Sequence, residues 1–198
     1  MKLLYAPASP YSAKVRMAAL HADIAIEYQT VDTNADPADL VGNNPLGKIP
    51  TLITDEGDGV YDSRVITQYL NRLSGNKLFP RNAARRLDAE LLEALADGVC
   101  DCLLTMVYER RVRPEEKIHQ PWLDRQWSKA VRGLDMLNAN PPKLPKQIHV
   151  GQIAVRAMIG YLDIRFAGKW EKGRGKLKRW AVRFDEKFPE LATAIPKA

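Results

Sequence analysis

The chain has 198 residues, 45% of them apolar and 27% charged, with 12 Gly and 13 Pro. That composition excludes a disordered, collagenous or low-complexity segment, and a chain of this length buries about 70% of its unfolded surface. Lys plus Arg number 30 against 24 Asp plus Glu, a net charge of +6. Part of the excess is local: Lys169, Lys172, Arg174, Lys176, Lys178, Arg179 and Arg183 face one Glu171 in the same stretch. With no binding motif beside it, such a run reads as a solvated face and not as a nucleic-acid surface.

Cys100 and Cys102 lie two residues apart in a predicted helix, where side chains do not face each other. Neither a disulfide nor a two-thiol metal site is expected from them, and no His/Cys/Asp cluster has metal-ligand spacing. No apolar run reaches the roughly 18 residues of a membrane span, and Met1 to Pro7 is too short for a signal peptide. The expectation is a soluble, cytoplasmic chain.

Strand and helix signals alternate through the first seventy-odd residues. Lys2 to Ala6 is a short apolar run stopped by Pro7, and Tyr11 to Ala22 has helical spacing, with Val15, Ala18 and Ala19 on one face. Ile24 to Val31 alternates like a strand. Asp36-Pro37 and Asn44-Pro45 mark irregular backbone or a short helix. Ile49 to Thr54 is rich in β-branched residues, Asp55 to Gly59 supplies a hairpin turn, and Val60-Tyr61 resumes the sheet. Asp62 and Ser63 are helix-capping types, and Val65, Ile66, Tyr69, Leu70 and Leu73 follow at helical spacing. The pattern is a small mixed sheet flanked by helices.

After Ser74-Gly75-Asn76 and an ordered linker, Leu78-Phe79-Pro80, the chain is almost wholly helical. Leu87, Leu91, Leu95, Val99, Cys102, Leu103 and Met106 form one apolar stripe. Trp122 to Leu137 forms a second helix, and Asn140 to Pro145 breaks it. Val150 to Phe166 is a strongly apolar third helix, and Gly175 to Phe188 a last one ending at Pro189. Two domains follow, residues 1–78 of mixed α/β class and residues 84–198 all helical. Trp122, Trp127, Trp170 and Trp180 read as core or interface packing. His21, at the end of the first helix, reads as a surface residue on the helix dipole. His119 falls in a loop before Pro121.

Three motifs carry candidate chemistry. Ser9-Pro10-Tyr11-Ser12 follows a strand and opens a helix, where unpaired N–H groups and the dipole favour an anion, a thiolate included. Read alone, Ser9 or Ser12 is only an N-cap. The second motif is Asn44-Pro45-Leu46-Gly47-Lys48-Ile49-Pro50. A cis Ile49-Pro50 bond there would leave the Ile49 N–H and C=O free for an extended peptide, whereas a trans one would be an ordinary edge-strand proline. The third is Asp62-Ser63-Arg64, where Ser63 could bind a carboxylate and Asp62 an ammonium, or both could simply cap a helix.

In this order and spacing, and followed by an all-helical half, the motifs resemble the cytosolic glutathione transferases, in the bacterial-type form with a serine in the active-site turn. Gly160-Tyr161-Leu162-Asp163 looks like that family's buried core helix. The resemblance implies a thioredoxin-like N-terminal domain, an all-α C-terminal domain and a homodimer. It implies glutathione as co-substrate and transfer of its sulfur to a hydrophobic alkyl or aryl electrophile or a peroxide, the chemistry of detoxification. Ser9 would hydrogen-bond the glutathione sulfur, with Ser12 ranked second and Tyr5 or Tyr11 last. Lys48 would face the glycine carboxylate, and Ile49 would pair with the cysteinyl unit beside a cis Pro50. Asp62 and Ser63 would hold the γ-glutamyl ammonium and carboxylate. Two serines at the ends of the turn argue against a disulfide reductase.

The family's core helix opens on Ser or Thr with Asp three residues later; here the positions read His149 and Gln152, which weakens the capping box. A binding or regulatory protein on the same fold, without catalysis, is the competing reading, and a glutathione-dependent lyase or isomerase a lesser one. The acceptor pocket is expected between the domains, against Val99 to Tyr108.

Overall fold

The computed structural model describes residues 1–198. In chain order the first part comprises β1 (Lys2–Tyr5), α1 (Pro10–His21), β2 (Glu27–Thr30), α2 (Ala38–Asn43), β3 (Thr51–Ile53), β4 (Gly59–Val60) and α3 (Ser63–Leu73). The strands form one sheet in the order β2-β1-β3-β4. β1 and β2 are parallel, with Leu3 opposite Tyr28, and a parallel pair needs the crossover that α1 supplies. β3 runs antiparallel to β1 and to β4, placing Leu52 between Leu3 and Val60.

Strand side chains alternate between the faces of a sheet, and β1 shows the consequence. Leu3 enters the main core with Val15, Ile66 and Leu70, under α1 and α3. Leu4 joins Val31 and Leu40 on the opposite face, which α2 covers. The strands are shorter than the apolar pattern: Ile24 and Ile26 precede β2 but still pack against the core as partly buried side chains.

The second part is helical: α4 (Ala83–Val112), α5 (Gln120–Ala139), α6 (Val150–Arg165), α7 (Gly175–Lys187) and α8 (Pro189–Ala192). The α8 turn, started by Pro189, lies beyond the predicted end of the last helix. α6 is buried along most of its length, from Val150 to Leu162, and packs on α4 on one side and α1 on the other. One continuous core therefore runs from Leu3 through Val155 to Trp180. A Cβ on Gly160 would meet Pro196 Cδ at 2.5 Å, so the absence of a side chain there seats the C-terminal segment against α6. The next residue, Lys197, donates its N–H to the Pro7 carbonyl at 3.0 Å.

Several side chains depart from the sequence expectation. Leu87 and Leu91 are exposed at 55% and 59%, so the α4 stripe reaches the core only from Leu95 onward. Trp170 and Trp180 are buried and Trp127 stacks on Phe166, but Trp122 is exposed. His21 is not a solvated dipole partner. It is half-buried, and its Nε2 lies 3.1 Å from the Ile148 carbonyl just before α6. Burial pushes its pKa below the ordinary histidine value. At the α6 start, Gln152 Oε1 accepts from the His149 N–H at 3.1 Å, as expected of a glutamine there. His149 Nδ1, by contrast, is buried without a hydrogen-bond partner. Burial and the nearby His21 lower the His149 pKa as well.

Both histidines resist protonation in the folded state, whereas in the unfolded chain they take up a proton near pH 6.5. Their contribution to stability is full above that pH and is lost as the pH falls through their lower folded values. Urea midpoints should fall below about pH 6.5, by at most about 1.4 kcal/mol per pH unit for each histidine. The double variant His21→Asn/His149→Asn should flatten the profile in that window; an unchanged slope would contradict the assignment.

Candidate functional site

The sheet topology gathers the three motifs. β1 ends at Tyr5 and leads into the Ser9 turn, β3 begins at Thr51 directly after Pro50, and β4 ends at Val60 just before Asp62-Ser63. Because β3 runs opposite to β1 and β4, all three points fall at one end of the sheet.

Ser9 is the N-cap of α1, and its Oγ accepts the Ser12 N–H at 3.1 Å. Ser12 itself is fully buried, with an unpartnered hydroxyl. The Tyr5 ring packs edge-on to Tyr28 at 5.9 Å, with the Arg16 guanidinium 5.0 Å above it. The Tyr11 hydroxyl donates to the Asp101 carboxylate on α4, and burial first, then neighbouring negative charge, raises its pKa well above the tyrosine range. It is a protonated donor already committed to a partner.

The Ile49–Pro50 bond is cis, as is Tyr61–Asp62. The loop before β3 is fixed by Asn44, whose buried amide donates to the Lys48 carbonyl at 2.8 Å and to Thr51 Oγ1 at 3.2 Å. Thr51 Oγ1 donates to the same carbonyl at 2.8 Å. Lys48 is left exposed, and the N–H and C=O of Ile49 enter no backbone hydrogen bond within the chain. At α3, Asp62 is an exposed N-cap whose Oδ1 accepts from the Arg64 N–H at 2.9 Å. Ser63 is 3% exposed at the first helical position, where N–H groups lack intrahelical partners.

Behind these two helix starts lies a feature that the sequence reading did not single out. Lys14 on α1 is 1% exposed and donates to Glu93 Oε1 at 2.9 Å and Asp97 Oδ2 at 2.7 Å, both on α4. Arg64 Nε reaches the same Asp97 oxygen at 2.9 Å, and Thr67 Oγ1 lies 3.4 Å from Glu93 Oε1. The leucine stripe of α4 gave no signal for it: Glu93 and Asp97, at i, i+4, lie across the helix from Leu91 and Leu95 and are buried with the small residues Ala89, Ala96 and Cys100.

A mixed sheet in this strand order, a cis proline entering β3, and a helical second half built around the buried α6 define the glutathione transferase fold, thioredoxin-like in its first part. Comparison with known proteins agrees. Residues 3–77 match the family model described as glutathione S-transferase, N-terminal domain. The chain is 32% identical over 204 aligned residues to YibF, an uncharacterized GST-like protein of Escherichia coli K12, covering 100% of both. A glutathione S-transferase from Methylobacillus flagellatus KT, solved with glutathione bound, superposes with a TM-score of 0.89 at 33% identity over 99% of each chain. A glutathione transferase family member from Pseudomonas fluorescens Pf-5, also with bound glutathione, gives 0.89 at 34% identity over 100% of this chain and 99% of that one. The chain belongs to the glutathione S-transferase family.

Removing the Lys14 ammonium leaves two buried carboxylates with only Arg64 nearby. Lys14→Met should cost about 3–5 kcal/mol in chemical denaturation. Glu93→Gln in that background should restore part of the loss, because it removes one of the stranded charges. A loss below about 1 kcal/mol would show that the cluster is solvated, as exposed pairs are.

Proposed function

We propose that the protein is a glutathione transferase that stabilises the glutathione thiolate and directs it to a hydrophobic electrophile or a peroxide. The observation that carries this reading is the convergence of the three motifs at one end of the sheet. Full-length relatives solved with glutathione bound support it.

Ser9 is the hydroxyl of choice for the sulfur. Its oxygen already accepts from Ser12, which leaves its proton to donate outward beside the α1 dipole. The competing hydroxyls are less available: Ser12 is enclosed, Tyr11 is bound to Asp101, and the Tyr5 ring is packed with Tyr28 and Arg16. A free thiol has a pKa of about 8.5, and each unit of lowering needs about 1.4 kcal/mol of preferential anion binding. The hydroxyl does not ionise; it and the helix start act electrostatically.

The remaining groups hold the tripeptide. The unpaired Ile49 backbone adds the cysteinyl unit as a strand would, beside Pro50. Ser63 offers its hydroxyl and N–H to the γ-glutamyl carboxylate, Asp62 meets the ammonium, and exposed Lys48 faces the glycine carboxylate. Residues 1–78 thus act as the glutathione-binding domain. Residues 84–198 supply the acceptor wall, with Tyr11 and Asp101 at its edge and the α4 segment Val99 to Tyr108 behind. In conjugation the sulfur lone pair forms a bond to the electrophilic carbon as the leaving group departs with its electron pair.

The same reading includes a homodimer. Val65 and Leu73 on α3 and Leu87 and Leu91 on α4 are large apolar side chains left exposed. They suit a self-complementary interface.

Calorimetric titration with reduced glutathione should show binding that weakens about tenfold in Ser63→Ala, the loss of a hydrogen bond to a charged group. Ser9→Ala should leave affinity within about threefold but raise the pKa of the bound thiol by about one unit, read from thiolate absorbance. No heat and no competition by glutathione conjugates would refute glutathione binding. Binding without turnover on electrophile and peroxide panels would favour the non-catalytic alternative.

In light scattering the protein should run at twice its 22.3 kDa chain mass. Leu91→Glu, which sets like charges across an apolar contact, should shift it to monomer at micromolar concentration. A monomeric parent protein would end the dimer reading.

A further inference from the structure

The basic stretch noticed in the sequence resolves into two different things. Arg174 is buried and structural, bound to Asp135 at 2.8 Å and to the Trp170 carbonyl at 2.8 Å. Beyond it, Lys176, Arg179 and Arg183 recur at three- and four-residue spacing, which places them on one face of α7. The opposite face, with Leu177, Trp180 and Phe184, is in the core.

The cationic face is one wall of a groove of about 870 Å³. The other wall is the α5–α6 connection, with Pro141, Pro142, Lys143 and Leu144. Its two walls are clipped together: Trp180 Nε1 donates to the Pro142 carbonyl and Lys187 Nζ to the Leu144 carbonyl, each at 2.6 Å. None of Lys143, Lys176, Arg179 and Arg183 is ion-paired. Glu186 is the single acid in the lining. Lys176, Arg179 and Arg183 set like charges a helical turn apart, an arrangement that disfavours a helix by about 0.2–0.5 kcal/mol per pair. None of the residues assigned to glutathione lines it.

We propose that this groove docks an extended acidic segment of a partner protein. Cations on α7 recur about every 5–6 Å, and alternate side chains of an extended peptide about every 6.8 Å, so successive carboxylates can meet successive cations. The aliphatic surface between the charges, from Leu144, Val182 and the prolines, suits a polypeptide. It does not suit a stacked single strand of nucleic acid: Trp180, the aromatic residue of the lining, is 1% exposed and offers no face for base stacking.

The probe is a short fluorescein-labelled peptide alternating glutamate with leucine and alanine, followed by anisotropy on the full chain. Its glutamine counterpart and a single-stranded oligothymidylate of equal charge serve as comparisons. The acidic peptide should bind, and Arg179→Glu/Arg183→Glu should weaken it about tenfold or more, in the range of charged interface pairs. Arg125→Glu/Lys129→Glu on α5, an equal change of net charge elsewhere, should leave affinity within about twofold. Should the reversed pair unfold, the neutral pair Arg179→Gln/Arg183→Gln should still weaken binding about threefold. Absence of peptide binding, equal loss in the α5 variant, or retention by the glutamine peptide would each overturn the proposal. Tighter binding of oligothymidylate with the same dependence on α7 would replace it with a nucleic-acid site.

Discussion

The Lys14 ammonium, 1% exposed and held between Glu93 and Asp97, fixes the relation between the helices that carry the site. Five residues before Lys14 on its own helix is Ser9, and next to Arg64, which shares Asp97, is Ser63. Two helix N-termini are thus fastened to the same two carboxylates of α4. The cluster is not an economical source of stability. Burial raises the Glu93 pKa, outweighing the attraction of Lys14, which is the signature of a desolvation penalty incompletely offset. What an ion pair of this kind supplies, and an aliphatic contact does not, is direction: its donors and acceptors fit in one arrangement. The proposed site, which has to place a hydroxyl and two helix starts around one small ligand, depends on such direction.

The same logic explains why the two halves share one core. α6 lies against α1 and α4 together, and its start comes close enough to α4 that a Cβ on Gly151 would sit 2.9 Å from the Ala89 carbonyl. Further along, Gly160 admits Pro196, and Lys197 ties that segment back to the Pro7 carbonyl in the turn before Ser9. The Ser9 turn is therefore held from below by Lys14 and from the side by the C-terminal segment. Loop residues placed by packed elements are a common setting for binding and chemistry.

Element order, the capped start of α3 and the all-helical second half were legible because local patterns encode them. Asp62 announces a helix and Asn140 to Pro145 ends one, whatever the tertiary setting. Apolar periodicity, however, marks a face without naming what covers it. Leu87 and Leu91 continue the α4 stripe and are nevertheless exposed, because nothing in the folded chain packs over them. Lys14 and Glu93 are 79 residues apart, and nothing local distinguishes a buried lysine from a solvated one in an amphipathic helix. His21 fails for the same reason: its partner, the Ile148 carbonyl, comes from 127 residues away. The proposed glutathione contacts are legible as motifs, but the structure adds which hydroxyls near the turn are already engaged.

That engagement bears on how one fold can take different acceptors. Stabilising a thiolate asks little of the surroundings beyond a donor and a dipole, worth roughly 1–3 kcal/mol together, and in the proposed site both come from the Ser9 cap and the start of α1. The proposed acceptor wall is built separately, from α4, whose Asp101 accepts from Tyr11 of α1 across the seam. Because burial raises the Tyr11 pKa, the phenol stays neutral at any ordinary pH and does not compete as a base. On the proposed function, substitutions along Val99 to Tyr108 would alter what the thiolate meets while Ser9 and Ser63, on helices anchored through Lys14 and Arg64 to the earlier turns of α4, stay in place. The carboxylates that anchor the proposed thiolate site and the proposed acceptor wall thus lie on successive turns of a single helix.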